Sequence, residues 1–321
     1  MRKKNIIFID GEEGTTGLEI YSKLSQSTDL EIIRLGAEKR KKKSAREDAI
    51  NQSDITILCV PDEVARQAIT LVKNPATKII DASTAHRTTS SWDYGFTEYH
   101  PGYRKTLKQS KRICNPGCYA IGAISAIYPL VNKGILPRDW PLSINAVSGY
   151  SGGGKTLINE FENPILASPP PFYDYSLTLK HKHLPEIQHW GGVNIDPIFL
   201  PSVANYYKGM LVHIPLHLSR LPKKPSFKSL VACYQEHYGN EKFIEVKEHT
   251  GSPDDVLIDP QANNGTNTLR LHLLTSANHK LAIVVAQLDN LGKGASGQVL
   301  QNLNVLLERP EDAGLSSATA L

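Results

Sequence analysis

Cysteine is scarce in this chain of 321 residues: there are four, at 59, 114, 118 and 233, and no two stand in C-x-x-C spacing. That argues against a disulfide framework and against a zinc site built on paired thiols. It suits free thiols in a reducing compartment. Long apolar runs are missing too. None approaches the length that crosses a bilayer, and the stretch between Met1-Arg2-Lys3-Lys4 and Asp10 is too short for a signal-peptide core. Nor is there an excess of one charge. Lys and Arg number 36 against 32 Asp and Glu, and the one basic run, at 39–43, is too short to argue for nucleic acid. These absences leave a cytoplasmic protein as the expectation. The chain is long enough for two domains.

What is present is organised around Asn115-Pro116-Gly117-Cys118-Tyr119. Residues 112–114 read as the end of a strand, and residues 120–130 as a helix. Pro116 and Gly117 turn the backbone between them. Cys118 therefore falls at or near the first turn of the helix, where unpaired N–H groups carry partial positive charge. A thiol there ionises below its ordinary pKa of about 8.5. Cys118 is either a nucleophile or a small packing residue.

The N-terminal half alternates short apolar runs with helical ones, which predicts a doubly wound parallel sheet. The first run, 5–10, is followed by Gly11, Gly14 and Gly17 and then by a helix from about 15 to 25. Strand, glycine turn and helix form a dinucleotide-binding arrangement, with Thr15 and Thr16 as further donors. The second strand is expected at 30–35. Beyond it Lys39 and Arg40 stand where the extra phosphate of NADP is recognised. A helix over 44–52 is expected to open on a capping box, Ser44 with Glu47. After the fourth strand, 78–80, Asp81-Ala82-Ser83-Thr84-Ala85-His86-Arg87 puts a hydroxyl, Ser83, and a planar cation, Arg87, into one loop. That pair suits a phosphate or carboxylate. Residues 92–108 read as a surface crossing.

The second half is expected to be α+β, with a hairpin of 269–275 and 281–288 around Ala277-Asn278. Strand 143–147 leads into Ser148-Gly149-Tyr150-Ser151-Gly152-Gly153-Gly154-Lys155. Its spacing is not that of a P-loop, but its glycines permit close approach to a ligand. His181-Lys182-His183-Leu184-Pro185-Glu186 follows. On a strand His181 and His183 share a face, as a metal pair, a base with its neighbour, or a structural pair. Asp289-Asn290-Leu291-Gly292-Lys293-Gly294-Ala295-Ser296-Gly297 precedes an amphipathic helix to about 308, and residues 310–321 read as a loose tail. The domains are expected at 1–116 with 291–321, which bind cofactor, and at 117–290, which carry catalysis and dimerisation.

A nicotinamide cofactor, a reactive thiol, an oxyanion site and a histidine together suggest acyl-level redox chemistry through a thioester. At these motifs, from about Ile6 to Leu307, the chain resembles the short form of the N-acetyl-γ-glutamyl-phosphate reductase family, of the semialdehyde dehydrogenase superfamily. The resemblance implies NADPH-dependent reduction of N-acetyl-L-glutamyl 5-phosphate to the 5-semialdehyde, by a homo-oligomer, dimer or tetramer. It implies Cys118 as nucleophile and His183 as acid/base, with Glu186 and His181 beside it. Ser83, Arg87 and Asn115 would face substrate. Gly11, Gly14, Thr15, Thr16, Gly17, Lys39, Arg40, Gly149, Ser151, Gly152, Asn290 and Gly294 would face NADP(H). Where the family has Pro-Thr after Cys-Tyr, this chain has Ala120-Ile121. Three other classes stay open: a dehydrogenase without a covalent step, a non-catalytic NADP-binding protein and a histidine-based metal hydrolase.

Overall fold

Alternating β-branched runs and helices build the first sheet of the chain and the helices around it. The computed structural model describes residues 4–167, 169–250 and 255–317. In chain order come β1 (Asn5–Asp10), α1 (Thr15–Leu24), β2 (Leu30–Ile33), α2 (Lys43–Gln52), β3 (Ile55–Leu58), α3 (Asp62–Thr70), β4 (Lys78–Asp81), β5 (Asp93–Tyr94), α4 (Tyr103–Gln109) and β6 (Arg112–Cys114). The six strands form one sheet, in order β2-β1-β3-β4-β6-β5, and every pair is parallel. The order reverses between β1 and β3, so the glycine turn after β1 lies at the switch point where such sheets take ligands. Ile7, Ile57 and Ile80 are buried in it. Each contributes roughly 1.5–3 kcal/mol relative to exposure.

The chain continues with α5 (Cys118–Asn132), β7 (Ser143–Gly149), α6 (Gly154–Glu162), β8 (Phe172–Asp174), α7 (Leu184–Gly191), β9 (Ile198–Ala204), β10 (Met210–His217), α8 (Phe227–Tyr238), β11 (Ile244–Glu248), β12 (Leu269–Thr275) and β13 (Leu281–Leu288), of which the strands build a second sheet. Its seven strands make a mixed sheet, β11-β12-β13-β10-β7-β9-β8. Helix α5 packs on β10 and β13. A β-carbon added at Gly122 would lie 2.9 Å from Val212 and 3.4 Å from Leu288. A last helix, α9 (Gly297–Leu306), follows a π-helical turn, Gly292–Ser296. By contacts the chain forms two units. One holds the residues up to Thr97, Gly102–Pro116 and Ala295–Leu315; the other holds Glu98–Pro101, Gly117–Gly294 and the residues from Ser316.

The parallel sheet and the mixed sheet bear out the expected α/β and α+β classes, but several local readings need correction. Helix α2 begins one residue early, with no side chain capping it. Glu47 pairs with Lys73 in place of closing a box with Ser44. Residues 92–108 are no surface crossing: they hold β5 and most of α4, and Tyr94, Phe96 and Thr97 are fully buried. Helix α9 is not amphipathic, because all ten of its residues are buried. Its amides are absorbed by internal partners. Gln298 and Asn302 donate to the Gly95 carbonyl, and Gln301 to Glu311. The tail is not loose as far as Ser316. Arg104 pairs with Glu311 at 2.7 Å, and the Ser316 carbonyl accepts from Asn267 at 2.7 Å. Residues 318–321 lie outside the described residues.

Candidate active site

The glycine turn after β1 divides its work among three residues. Gly11 has φ +88°, and a β-carbon there would lie 2.4 Å from the Cys59 carbonyl oxygen, so only glycine fits. At Gly17 the same atom would lie 2.4 Å from the Gly11 carbonyl, which lets α1 pack against the turn. Gly14 is the N-cap of α1, with no side-chain cap, and its added β-carbon would lie a tolerable 3.4 Å from Gly11. Thr15 and Thr16 open the helix. This is the division that close approach of a pyrophosphate asks for. Beside it lies a cavity of about 480 Å³, lined by Asp10, Gly11, Arg40, Lys41 and Arg46 among others. Arg40 pairs with Glu13 across it. Lys39 is exposed and is not among the lining residues, so of the two basic candidates only Arg40 faces the cavity. The motif reading missed Arg46, a buried guanidinium held by Asp10 at 2.6 Å. It also missed Arg34, held by Glu12 at 2.9 Å and lying 4.4 Å from the Tyr21 ring centre. Arg34 directly follows β2, and that position was the available signal.

The loop after β4 is tied to itself. Asp81 accepts from the Ser83 amide and hydroxyl, both at 2.9 Å, and meets His86 Nδ1 at 2.6 Å. His86 in turn stacks on Trp92 at 4.2 Å. Buried Arg87 donates from Nε to the Asn115 carbonyl at 3.0 Å and from Nη2 to the Ala82 carbonyl at 3.2 Å. Asn115 is itself buried. Its amide donates to Ala295 at 3.3 Å, and its oxygen accepts from Asn302 at 3.1 Å. Of the residues expected to face substrate, Ser83 has these groups engaged with Asp81 in its own loop, and Arg87 and Asn115 have theirs engaged at the strand end that precedes the thiol.

Cys118 is the first residue of α5. Gly117 is the N-cap, no side chain caps the helix, and the thiol residue is half-buried. The Gly117 N–H donates to Glu186 Oε1 at 2.9 Å, and Glu186 is buried in the first turn of α7. Glu186 therefore holds the turn that carries Cys118.

The two histidines are not on a strand. His181 lies in a loop and His183 is the N-cap of α7, so the same-face reading that allowed a metal pair does not apply. Among the described residues no group of three His, Cys, Asp or Glu is placed to hold a metal. His181 Nδ1 accepts from the His183 backbone N–H at 3.2 Å, which leaves its hydrogen on Nε2, 3.4 Å from the Tyr175 hydroxyl. Burial, with a smaller push from Lys182, lowers its pKa to about 4. His181 is a fixed neutral ring at pH 7. Both imidazoles pack edge-on against Tyr119, at 5.8 and 5.9 Å between ring centres.

The last glycine loop packs against Cα and Cβ of Cys118. A β-carbon at Gly294 would lie 2.8 Å from Cys118 Cβ. Asn290 accepts from the Gly209 N–H at 2.8 Å and donates to the Ser151 hydroxyl at 3.0 Å. A β-carbon at Gly149 would lie 2.6 Å from the Tyr206 carbonyl, and one at Gly152 would lie 3.0 Å from the Ser148 hydroxyl. The resemblance assigns these five residues to the cofactor, and within the chain they make the contacts just described.

Comparison with known proteins adds the decisive observation. Residues 7–109 match the profile described as semialdehyde dehydrogenase, NAD binding domain, and residues 118–290 the one described as semialdehyde dehydrogenase, dimerisation domain. An N-acetyl-gamma-glutamyl-phosphate reductase of Trichormus variabilis is 44% identical over 317 residues, covering 96% of this chain and 98% of its own. One from Burkholderia ambifaria is 44% identical over 302 residues, 94% of this chain and 96% of its own. The chain belongs to the N-acetyl-gamma-glutamyl-phosphate reductase family. Solved structures outside that family share its fold. An aspartate semialdehyde dehydrogenase II from Vibrio cholerae superposes with a TM-score of 0.68 at 15% identity, over 96% of this chain and 99% of its own. The Candida albicans aspartate semialdehyde dehydrogenase solved with NADP gives 0.63 at 15%, over 95% and 98%. Among the described residues, no helix is long and apolar enough to cross a membrane.

Proposed function

We propose that this chain reduces N-acetyl-L-glutamyl 5-phosphate to N-acetyl-L-glutamate 5-semialdehyde and phosphate with NADPH, a step of arginine biosynthesis. The observation that carries the reading is identity of 44% to named reductases along almost the whole chain, with a thiol at the first position of α5. The glycine turn, Gly14 above all, and the cavity with Arg40 and Lys41 fit a dinucleotide carrying an extra phosphate. Bound NADPH supplies the hydride. Cys118 Sγ attacks the acyl carbon, the carbon–oxygen bond to phosphate breaks, and a thioester remains on Cys118. Once reduced, the tetrahedral carbon collapses, Sγ departs and the aldehyde is freed. His183 takes the thiol proton and moves it at the tetrahedral oxygen. Glu186 and His181 orient: one holds the Gly117 N–H, the other the His183 N–H.

The partner is a second copy of the chain. On β10 and β13 the residues Pro215, His217, Leu281 and Ile283 lie on the sheet face away from α5, where Pro215 pairs with Ile283 and His217 with Leu281. Leu281 is 46% exposed, and so is Ile198, at 53%, on β9. Exposed apolar residues grouped on a sheet face suit a protein interface. Sedimentation equilibrium is expected to give a dimer or tetramer, which Ile283→Asp weakens; a wild-type monomer at micromolar concentration removes the interface.

The reaction is tested in reverse. NADP, inorganic phosphate and N-acetylglutamate semialdehyde are expected to give NADPH absorbance that depends on phosphate. No signal from a folded chain that binds NADP would falsify the substrate assignment.

A further inference from the structure

The loop that packs against Cys118 carries a buried charge which the reaction does not use. Lys293 and Glu98 are buried, with side chains 0% exposed. Lys293 Nζ donates to both Glu98 carboxylate oxygens, at 2.8 and 2.9 Å. The ammonium lies 5.7 Å from the Phe243 ring centre. Glu98 comes from Glu98–Pro101, which interrupts the first unit in sequence and belongs to the second in space. Taking two charges out of water costs more than most pairs return, so this pair is weak evidence for stability alone. Its neighbour suggests what else it does. Gly294 follows Lys293 directly, inside the π-helical turn Gly292–Ser296, and its Cα faces Cys118 so closely that an added β-carbon would lie 2.8 Å from Cys118 Cβ and 3.3 Å from its Cα. Single π turns recur at functional sites. The start of the loop is tied separately. Asp289 accepts from the Gly265 N–H at 2.7 Å and from Lys208 at 3.0 Å, and its carbonyl accepts from the Gly294 N–H at 2.9 Å. The ion pair is a further tie, beside the bond of Gly294 itself to Asp289 and next to the residue packed against Cys118.

We propose that Lys293 and Glu98 are positioning residues for Cys118: their buried pair seats the Gly292–Gly294 turn, and Gly294 then sets where the thiol stands. The proposal rests on the reading of Cys118 as nucleophile, but part of its test does not.

The experiment uses the full chain in three variants, Lys293→Met, Glu98→Gln and Gly294→Ala. Steady-state kinetics are measured beside the alkylation of Cys118 by iodoacetamide across pH, without substrate, mapped by peptide mass spectrometry. In both ion-pair variants kcat is expected to fall by about 10²-fold, as for a small misplacement of a reacting group, with KM values near those of wild type. The alkylation plateau at high pH is expected to change in the same direction in both. Opposite shifts of the alkylation midpoint with an unchanged plateau would mean that the thiol feels charge and not position, and would overturn the proposal. Folded variants with wild-type kcat and alkylation would do the same. If neither ion-pair variant folds, Gly294→Ala decides, because it keeps the pair and sets a methyl against Cys118. A changed plateau supports the contact, and wild-type behaviour refutes it. Turnover retained by Cys118→Ala would defeat the functional reading while leaving the alkylation result to stand by itself.

Discussion

Two joints in this molecule have the same local construction and opposite finish. Each is a parallel strand, a glycine-bearing turn and a helix without a side-chain cap: β1 into α1 at Gly14-Thr15, and β6 into α5 at Gly117-Cys118. At the first joint glycines clear space, and the residues that open the helix are small hydroxyls. At the second the turn is clamped. The Asn115 carbonyl takes Arg87, the Gly117 N–H takes Glu186, and Gly294 closes on Cys118 from its side. A bare helix start binds an anion that arrives from outside. A clamped one suits a reacting group that must stay aligned while bonds change. Which a joint becomes is decided by the residues brought against it from far along the chain.

The contrast can be broken most sharply at the first residue of each helix. Cys118→Ala is expected to lower kcat/KM by about 10⁴-fold or more. Thr15→Ala, the same position on α1, should change chiefly the NADPH affinity, read by fluorescence titration. Equal effects would erase the distinction. His183→Asn comes next, with a loss of about 10²–10⁴-fold expected for a proton-moving group. His181→Asn should cost far less, since that ring is already neutral at pH 7.

The glycines separate the roles inside the first joint. Gly11→Ala forces a side chain to φ +88° and against the Cys59 carbonyl, and about 1–3 kcal/mol of stability should go with it, measured by urea unfolding. Gly14→Ala is expected to fold normally and to lose about tenfold in NADPH affinity, or about 1.4 kcal/mol. Glu186→Gln sharpens the second joint. The amide oxygen can still accept from Gly117, so a cost of about 1 kcal/mol in kcat/KM is expected; Glu186→Ala should exceed it.

The smallest effect is on the pH dependence of stability. His272, buried and bonded to Gln287 at 3.0 Å and His249 at 2.9 Å, has its pKa lowered to about 4, chiefly by burial. A lowered folded pKa means that the unfolded chain takes up the proton first. The contribution of His272 is present above about 6.5 and is lost as pH falls from there to about 4. His181 acts in the same direction. Urea unfolding across this window should show a shallower acid limb for His272→Gln than for wild type.

How much of this was legible in the sequence follows the same divide. Both joints could be read, because strand, glycine and helix are local signals. The clamps could not. Glu186 is 69 positions from Gly117, and Glu98 is 195 from Lys293. Spacing carries no trace of either bond. The polar residues of α9 gave an amphipathic pattern with no sign of their burial, because their partners, Gly95, Asn115 and Glu311, are distant or in a tail taken to be loose. Ser83 and Arg87 carry the chemistry of an oxyanion site, yet their loop turns that chemistry inward, onto Asp81 and the Asn115 carbonyl. Residue type gives what a group can bind; only the fold decides whether something in the chain has already taken it.

The central claim is that the clamped joint carries a covalent intermediate. The most direct test mixes the full chain with N-acetylglutamyl phosphate in the absence of NADPH, quenches in acid and takes the intact mass. One added N-acetylglutamyl group is expected, mapped to Cys118, absent from Cys118→Ala and removed by hydroxylamine. Phosphate released on addition of NADPH with no acyl group ever found on Cys118 would contradict it.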